Sequence, residues 1–258
     1  MKRLFPLLAY IRFWLIQEDL YAIQSPSVYH LYHNLLQHKR RGLKTKNTTD
    51  HLRKKLLRDR SVLEIEDYGA GSIHLPKKKR TTAEVTRYST SSKKYSLLYQ
   101  YFCSITPAKT VLELGTCTGI NIQYLAQASL GEVYTIEGSQ ALKEKASSYN
   151  TNNNIHYLTG KIQEVLPTLL SKVKQVDFVL IDASHTYRDT LVFFDMLLPY
   201  LHEKSIMAIG DIHWSKGMEA AWKVLCIHDR VRLQLDFYEC GILFFDPVLP
   251  KAQYVLNY

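Results

Sequence analysis

From Thr110 onward, short apolar runs alternate with stretches of helical periodicity, and this alternation limits the fold more than any other feature of the chain. Strand, helix and strand in succession form a βαβ unit, which closes as a parallel sheet with helices on its faces. Strands are expected near Thr110–Leu114, Glu132–Glu137, Ile155–Leu158, Phe178–Asp182 and Ile206–Asp211. One intervening helix carries Leu191, Phe194 and Leu198. Another carries Met218, Ala221, Trp222 and Leu225 at i, i+3, i+4 and i+7. The last two apolar runs, Val231–Asp236 and Gly241–Phe245, leave no room for a helix between them and must pair antiparallel. The expectation is an α/β fold, an open sheet of about seven strands, mostly parallel, with an antiparallel C-terminal hairpin.

The first third reads differently. Leu4, Leu8, Ile11 and Leu15 share one helical face, which predicts an amphipathic helix from about residue 3 to 22. Ser25-Pro26 interrupts the pattern, and Ser25 or Ser27 is placed to cap a second helix bearing Val28, Leu31, Tyr32 and Leu35. A third, basic helix is expected from about Asp50 to Arg60. A loop at Tyr68-Gly69-Ala70-Gly71-Ser72 and a mobile run from Lys77 to Arg80 follow, and Ser89 to Ser92 precede a helix starting near Lys93. The expected division is a helical cap over residues 1–90 and an α/β domain over 91–258.

Composition narrows the class. The 258 residues are 46% hydrophobic and 22% charged, as in an ordinary globular chain rather than a disordered one. The 18 tyrosines read mainly as core and pocket walls. The net charge of +9 is concentrated in Lys39, Arg40, Arg41, Lys44, Lys46, Arg53, Lys54, Lys55 and Lys77 to Arg80. A solvated basic surface accounts for it, and a nucleic-acid partner is the less favoured reading. Cys103, Cys117, Cys226 and Cys240 lack metal-site spacing and read as buried free thiols in a reducing compartment. Lys2 and Arg3 precede an apolar stretch, but Arg12 interrupts it and no small-residue cleavage site comes before Gln17-Glu18-Asp19. No run approaches the roughly 18 apolar residues of a membrane span. A cytoplasmic protein without a membrane partner is expected, and the oligomeric state leaves no signature.

The sharpest motif is Val111-Leu112-Glu113-Leu114-Gly115-Thr116-Cys117-Thr118-Gly119. A strand ends in one glycine and a second glycine opens a helix, at the sheet edge where open α/β folds bind ligands. Gly115 would let the turn approach a ligand closely. The spacing E-x-G-x-x-x-G is not the G-x-G-x-x-G of dinucleotide binders, so a ligand without a pyrophosphate is expected. Glu113 can accept a hydrogen bond from an ammonium group, directly or through water. Glu137, followed by Gly138, ends the next strand, where a carboxylate can take both hydroxyls of a ribose. Gly160 and Lys161 follow the third strand, and Gln163 lies one turn further on. The fourth strand ends at Asp182, with His185 three residues beyond as a candidate general base. The fifth ends at Asp211, with His213 and Trp214 expected to face the same crevice.

These residues together resemble the class I S-adenosylmethionine (SAM)-dependent methyltransferases, and more narrowly the catechol O-methyltransferase-like group, over about Lys93 to Asp246. Ser25-Pro26, Tyr68 to Ser72, Ser91-Ser92-Lys93-Lys94-Tyr95 and Asp211-Ile212-His213-Trp214-Ser215 resemble an uncharacterised branch of that group of the kind found in Bacteroidetes. The resemblance implies a Rossmann-like sheet and SAM as cofactor. It implies a cofactor site at Glu113, Gly115, Thr116, Gly119, Glu137, Gly138, Gly160, Lys161 and Asp182, closed by Ser91 to Tyr95. Metal-dependent members hold Mg²⁺ with an Asp after strand four and an Asp-Asn pair after strand five. Here the first matches Asp182, the pair falls on Gly210-Asp211, and His185 stands where those enzymes place a lysine. Asp182 and Asp211 would hold Mg²⁺ only weakly, with several waters, so no metal is assigned.

The expected reaction is methyl transfer to an oxygen or nitrogen of a small-molecule acceptor, with His185, helped by His213, taking the proton and Asp182 balancing the cofactor's charge. Two other readings stand beside it: an RNA or other nucleic-acid methyltransferase using the basic N-terminal region, and a non-catalytic SAM-binding scaffold. A nicotinamide dehydrogenase is disfavoured by the glycine spacing.

Overall fold

The computed structural model describes residues 4–66, 78–150 and 152–258. The loop expected at Tyr68 to Ser72, and Lys77, lie outside them. Before the main sheet come α1 (Leu4–Ile16), α2 (Pro26–Lys44), α3 (Thr48–Leu56), β1 (Val62–Glu64), β2 (Lys79–Thr81), α4 (Thr82–Tyr88) and α5 (Lys93–Ser104). Then follow β3 (Thr110–Leu114), α6 (Ile120–Ala128), β4 (Glu132–Glu137), α7 (Gln140–Ser147), β5 (Ile155–Thr159), α8 (Ile162–Val173) and β6 (Val176–Ile181). The chain closes with α9 (Tyr187–Leu197), β7 (Leu201–Gly210), α10 (Lys216–Ile227), β8 (Leu233–Asp236), β9 (Cys240–Phe244) and β10 (Ala252–Val255).

The sheet has eight strands in the order β10-β8-β9-β7-β6-β3-β4-β5. Strands β7, β6, β3, β4 and β5 run parallel, and β9 is antiparallel to both β7 and β8. That is the expected mostly parallel Rossmann-like sheet with its terminal hairpin. The eighth strand was not expected. Ala252-Gln253-Tyr254-Val255 has no apolar run and is only partly covered, because it pairs at the sheet edge, parallel to β8 alone.

The chain leaves β3 outward through β4 and β5, then returns to β6 and β7 on the other side of β3. This reversal opens a crevice between the carboxyl ends of β3 and β6. Helices cover both faces. On one, Tyr95, Leu98 and Phe102 of α5 and Ile122 and Leu125 of α6 bury against the sheet together with Val28, Tyr32 and Leu35 of α2. On the other, Leu166 of α8, Phe193 and Phe194 of α9 and Trp222 of α10 do the same. β6 is buried at every position and forms the centre of the stack.

Four N-terminal expectations change. α1 ends at Ile16, not near 22, because Glu18 enters a parallel bridge with Leu256 and its N–H donates to the Val255 carbonyl at 2.6 Å. The face bearing Leu8, Ile11 and Leu15 is turned to solvent, and Ala9 and Phe13 make the inner contact instead. The basic run expected to be mobile supplies β2, paired antiparallel with β1 and followed at once by a capping box in which Thr81 and Glu84 close the start of α4. α3 ends earlier than expected, at Leu56, whose side chain is buried against Leu97, Ile120 and Tyr124.

Candidate active site

The turn after β3 is shaped by the sheet beneath it. Gly115 has φ +103°, and a Cβ there would lie 2.2 Å from the backbone oxygen of Asp182. The neighbouring strand by itself requires the glycine, and the same residue lines the hollow described below. Gly119, at φ +77°, caps α6, and a Cβ there would meet the Ala146 methyl at 2.8 Å. It serves packing of α6 against α7 and does not border the hollow described below.

Glu113 also sits below the site. It is fully buried, and its Oε2 accepts from the Thr135 hydroxyl at 2.6 Å, while Thr135 and Thr116 hydroxyls meet at 2.6 Å. Burial holds its pKa well above the usual carboxylate range, with Asp182 and Glu137 adding to the effect. Burial favours its protonated form, and it lies under the turn, outside the lining of the hollow described below.

Glu137 takes the exposed role. Its Oε2 accepts the Cys117 N–H at 2.8 Å and its Oε1 the Ser139 N–H at 3.0 Å, so the half-buried carboxylate points back to the Gly115–Gly119 turn. Cys117 lies alongside, but burial pushes its thiol up to about 12, which leaves it without nucleophilic character at neutral pH.

Across the switch point, Asp182 Oδ2 accepts from the Ser91 hydroxyl at 3.3 Å and from Asn121 Nδ2 at 3.5 Å. Asn121 Nδ2 also donates to Ser91 Oγ at 3.0 Å. Removal from water pushes the Asp182 pKa up to about 6; His185 opposes the shift and Asp211 adds to it. His185 Nδ1 is 3.7 Å from Asp211 Oδ2, and its ring lies 6.2 Å from that of Trp214. Ligand atoms of Asp182, His185 and Asp211 all fall within 4.8 Å of one another. A Cβ at Gly210 would stand 2.3 Å from Asp182 Oδ1, so any side chain there would have to displace that carboxylate.

His213 does not join them. Its Nε2 is 2.7 Å from Asp236 Oδ2 and its ring stacks on Tyr238 at 5.5 Å, away from the crevice. The chain turns between Asp211 and His213, with Trp214 N–H donating to the Asp211 carbonyl, so neighbours in sequence face opposite ways.

One hollow of about 890 Å³ links these parts. Gly115, Thr116, Glu137, Gly138, Gly160, Lys161, Gln163, Asp182, His185, Asp211 and Trp214 line it, as do Ser91, Ser92 and Tyr95. Sequence reasoning missed Tyr99, Asn121, Arg188 and Glu239 on its wall. Asn121 carried a signal, a polar residue on the inner face of a helix just past Gly119. Glu239, in the β8–β9 turn, carried none. The walls are conformationally strained: Cys117, Ser184, His185 and Asp211 have φ of 51°, 61°, 50° and 56°.

An open, mostly parallel sheet with this terminal hairpin and this crevice is a Rossmann-like methyltransferase fold. A family model described as a methyltransferase domain matches residues 112–212. Among solved structures, the O-methyltransferase from Bacillus cereus in complex with S-adenosylhomocysteine (SAH) is 17% identical, with 81% of this chain and 96% of that one covered and a TM-score of 0.59. The O-methyltransferase TomG from Streptomyces achromogenes, solved with SAM, is 18% identical over 61% of this chain and 82% of that one, TM-score 0.53. A SAH-bound methyltransferase from Podospora anserina is 14% identical over 61% and 80%, TM-score 0.52. Curated proteins give no match.

Proposed function

We propose that the protein is a class I SAM-dependent methyltransferase acting on an oxygen, or a nitrogen, of a small-molecule acceptor. The observation that carries this reading is the Glu137 carboxylate, held by two backbone N–H groups beside the Gly115 turn and facing Asp182 across one continuous hollow. The methyltransferase-domain match over 112–212 supports it. Residues 1–90 serve as cap, and α4 and the start of α5 border the hollow from above.

SAM, when bound, supplies a methyl group already activated on a sulfonium. In this reading Glu137 accepts the ribose hydroxyls, and Gly138, Gly160, Lys161 and Gln163 border the adenine. The Gly115–Thr116 turn, Ser91 and Asn121 orient the amino-acid end. Asp182 balances positive charge once ionised. With Nδ1 turned to Asp211, His185 Nε2 is the atom that takes the acceptor's proton. Trp214 and Tyr99 wall the acceptor end.

Glu137→Ala is expected to weaken SAH binding by roughly 10- to 100-fold in calorimetry, the worth of losing charge-assisted hydrogen bonds. Unchanged affinity would remove the site assignment. Binding of SAH without transfer to any nucleophile would leave the scaffold reading. His185→Gln is expected to slow transfer by roughly 10²-fold or more while sparing SAH affinity. His213→Gln should instead lower the melting temperature and leave transfer in the surviving protein.

A second arrangement of the same residues has a specific basis. Two carboxylates and an imidazole within 4.8 Å suit a borderline divalent ion such as Mn²⁺ better than Mg²⁺, which prefers six oxygens. Asp182, Asp211 and His185 would hold it and it would acidify an acceptor hydroxyl. Transfer lost to a chelator and restored by Mn²⁺ selects this arrangement.

Of the basic N-terminal residues, Lys39 lies over the Tyr258 ring at 4.4 Å and Arg53 donates to the Ser91 carbonyl. Arg40, Arg41, Lys44, Lys46, Lys54 and Lys55 are exposed, so a nucleic-acid acceptor stands as the alternative, and salt-sensitive RNA binding lost on neutralising Lys39, Arg40 and Arg41 would select it.

A further inference from the structure

Helix α1 presents an apolar face that none of the described residues covers. Its inner stripe is short. Ala9 and Phe13 are buried, the Phe13 and Tyr10 rings stand 5.4 and 5.1 Å from that of Tyr238, and the Tyr238 hydroxyl donates to the Pro6 carbonyl at 2.7 Å. Arg12 is tied to Glu219 of α10 at 2.6 Å. The remaining arc is apolar and in water: Leu7 and Leu8 are each 55% exposed, Ile11 45%, Trp14 59%, Leu15 69% and Ile16 56%. So much large apolar surface on a single helix of 13 residues is a docking surface rather than scattered exposure.

Charge selects the occupant. The helix holds no acidic residue, Arg12 is its single charge, and Lys2 and Arg3 precede it in sequence. A second copy would bring another +9 against this chain's +9, whereas an anionic bilayer gains from the same excess. Trp14, half-exposed Tyr10 and the 89% exposed Tyr21 have the apolar body and polar edge that settle at headgroup depth. No helix of the described residues is long and apolar enough to cross a membrane, and an interfacial helix need not be. At about 20 Å in length, α1 can lie in the plane of the surface.

We propose that α1 is an interfacial anchor that docks the protein, apolar face down, on an anionic lipid bilayer. α1 packs on Tyr238, whose neighbour Glu239 lines the hollow, so the docked face belongs to the side of the molecule that carries the β8–β9 turn. This docking is independent of which acceptor is used and of whether transfer occurs.

The test is vesicle co-sedimentation of the full chain with phosphatidylcholine alone and with phosphatidylcholine containing phosphatidylglycerol. The full chain is expected to bind the anionic vesicles roughly tenfold or more tightly than the neutral ones. Leu8→Glu combined with Leu15→Glu should abolish the binding with an unchanged circular dichroism spectrum, since both side chains are exposed in the fold. Should that variant fail to fold, the unsubstituted chain still decides. Trp222 is buried and Trp214 is half-buried on the wall of the hollow, so brominated lipid in anionic vesicles should quench fluorescence chiefly from the exposed Trp14, and Trp14→Phe should remove that quenching. No sedimentation and no quenching would overturn the proposal. So would a dimer in light scattering that the double variant makes monomeric, which assigns the face to a second copy.

Discussion

Gly115→Ala is expected to abolish SAH binding and to lower the melting temperature by roughly 10 °C, the consequence of a destabilisation of about 3–5 kcal/mol in a chain of this size. Two costs combine. The residue sits at φ +103°, outside the range an L side chain adopts readily, and its Cβ would lie 2.2 Å from the Asp182 carbonyl oxygen. That carbonyl belongs to the strand end that carries the central carboxylate, so relief of the clash moves Asp182 and the turn apart. Gly131→Ala is the control. Its Cβ would also lie 2.2 Å from a backbone oxygen, that of Lys109, but at the opposite end of the strands. It should cost comparable stability and leave SAH affinity in the folded fraction intact. Equal affinity losses in both variants would mean that the site is not built on the β3 turn.

Asp182→Asn is expected to reduce transfer at neutral pH by roughly 10²- to 10³-fold, since the group faces the point where charge is exchanged. The pH dependence has two arms with opposite sign. Burial raises the carboxyl from 3.8 to about 6, so the ligand-free folded state holds this proton more tightly than the unfolded chain. Its contribution to stability is therefore full below the unfolded value and is lost as pH rises through about 6. Binding of a cationic ligand runs the other way and strengthens over the same window as the carboxylate forms. Thermal melts and SAM calorimetry from pH 5 to about 7 should show both arms, and both should flatten in Asp182→Asn. Restoring a carboxylate by Gly210→Asp should not add a metal ligand. Its Cβ would displace Asp182, 2.3 Å away, and transfer should fall.

Much of this was legible in the sequence because buried parallel strands write themselves as apolar runs. β3 to β7 fall close to their expected positions, and the terminal runs pair antiparallel as their short separation required. Edge strand β10 was not legible because its pairing needs only one partner and no buried face. Strand ends put Glu137, Asp182 and Asp211 in the right neighbourhood, but side-chain direction at a strand end depends on one residue of register. That is why Glu113 and Glu137, both acids near strand ends, are a buried acid under the turn and a carboxylate lining the hollow respectively. His213 was misjudged for a related reason: the reversal at Asp211, with φ 56°, turns the next residues away from the crevice. In α1 the periodicity showed a stripe, and the residues on it face water rather than the core. A helix that is apolar on most sides gives no hint of which side the protein keeps.

The left-handed residues on the rim carry a consequence for variation in this chain. Ser184 and His185 are consecutive and both lie in a region that favours glycine, as does Asp211 opposite them. Each is kept there by the rigid sheet below at a cost on the order of 1 kcal/mol. Glycine at 184 would relax that tension and make the molecule harder to melt, yet it would free the imidazole next to it from its fixed bearing. Changes that toughen this rim are therefore the ones that blur its aim, and the two qualities are set against each other at the same few backbone torsions.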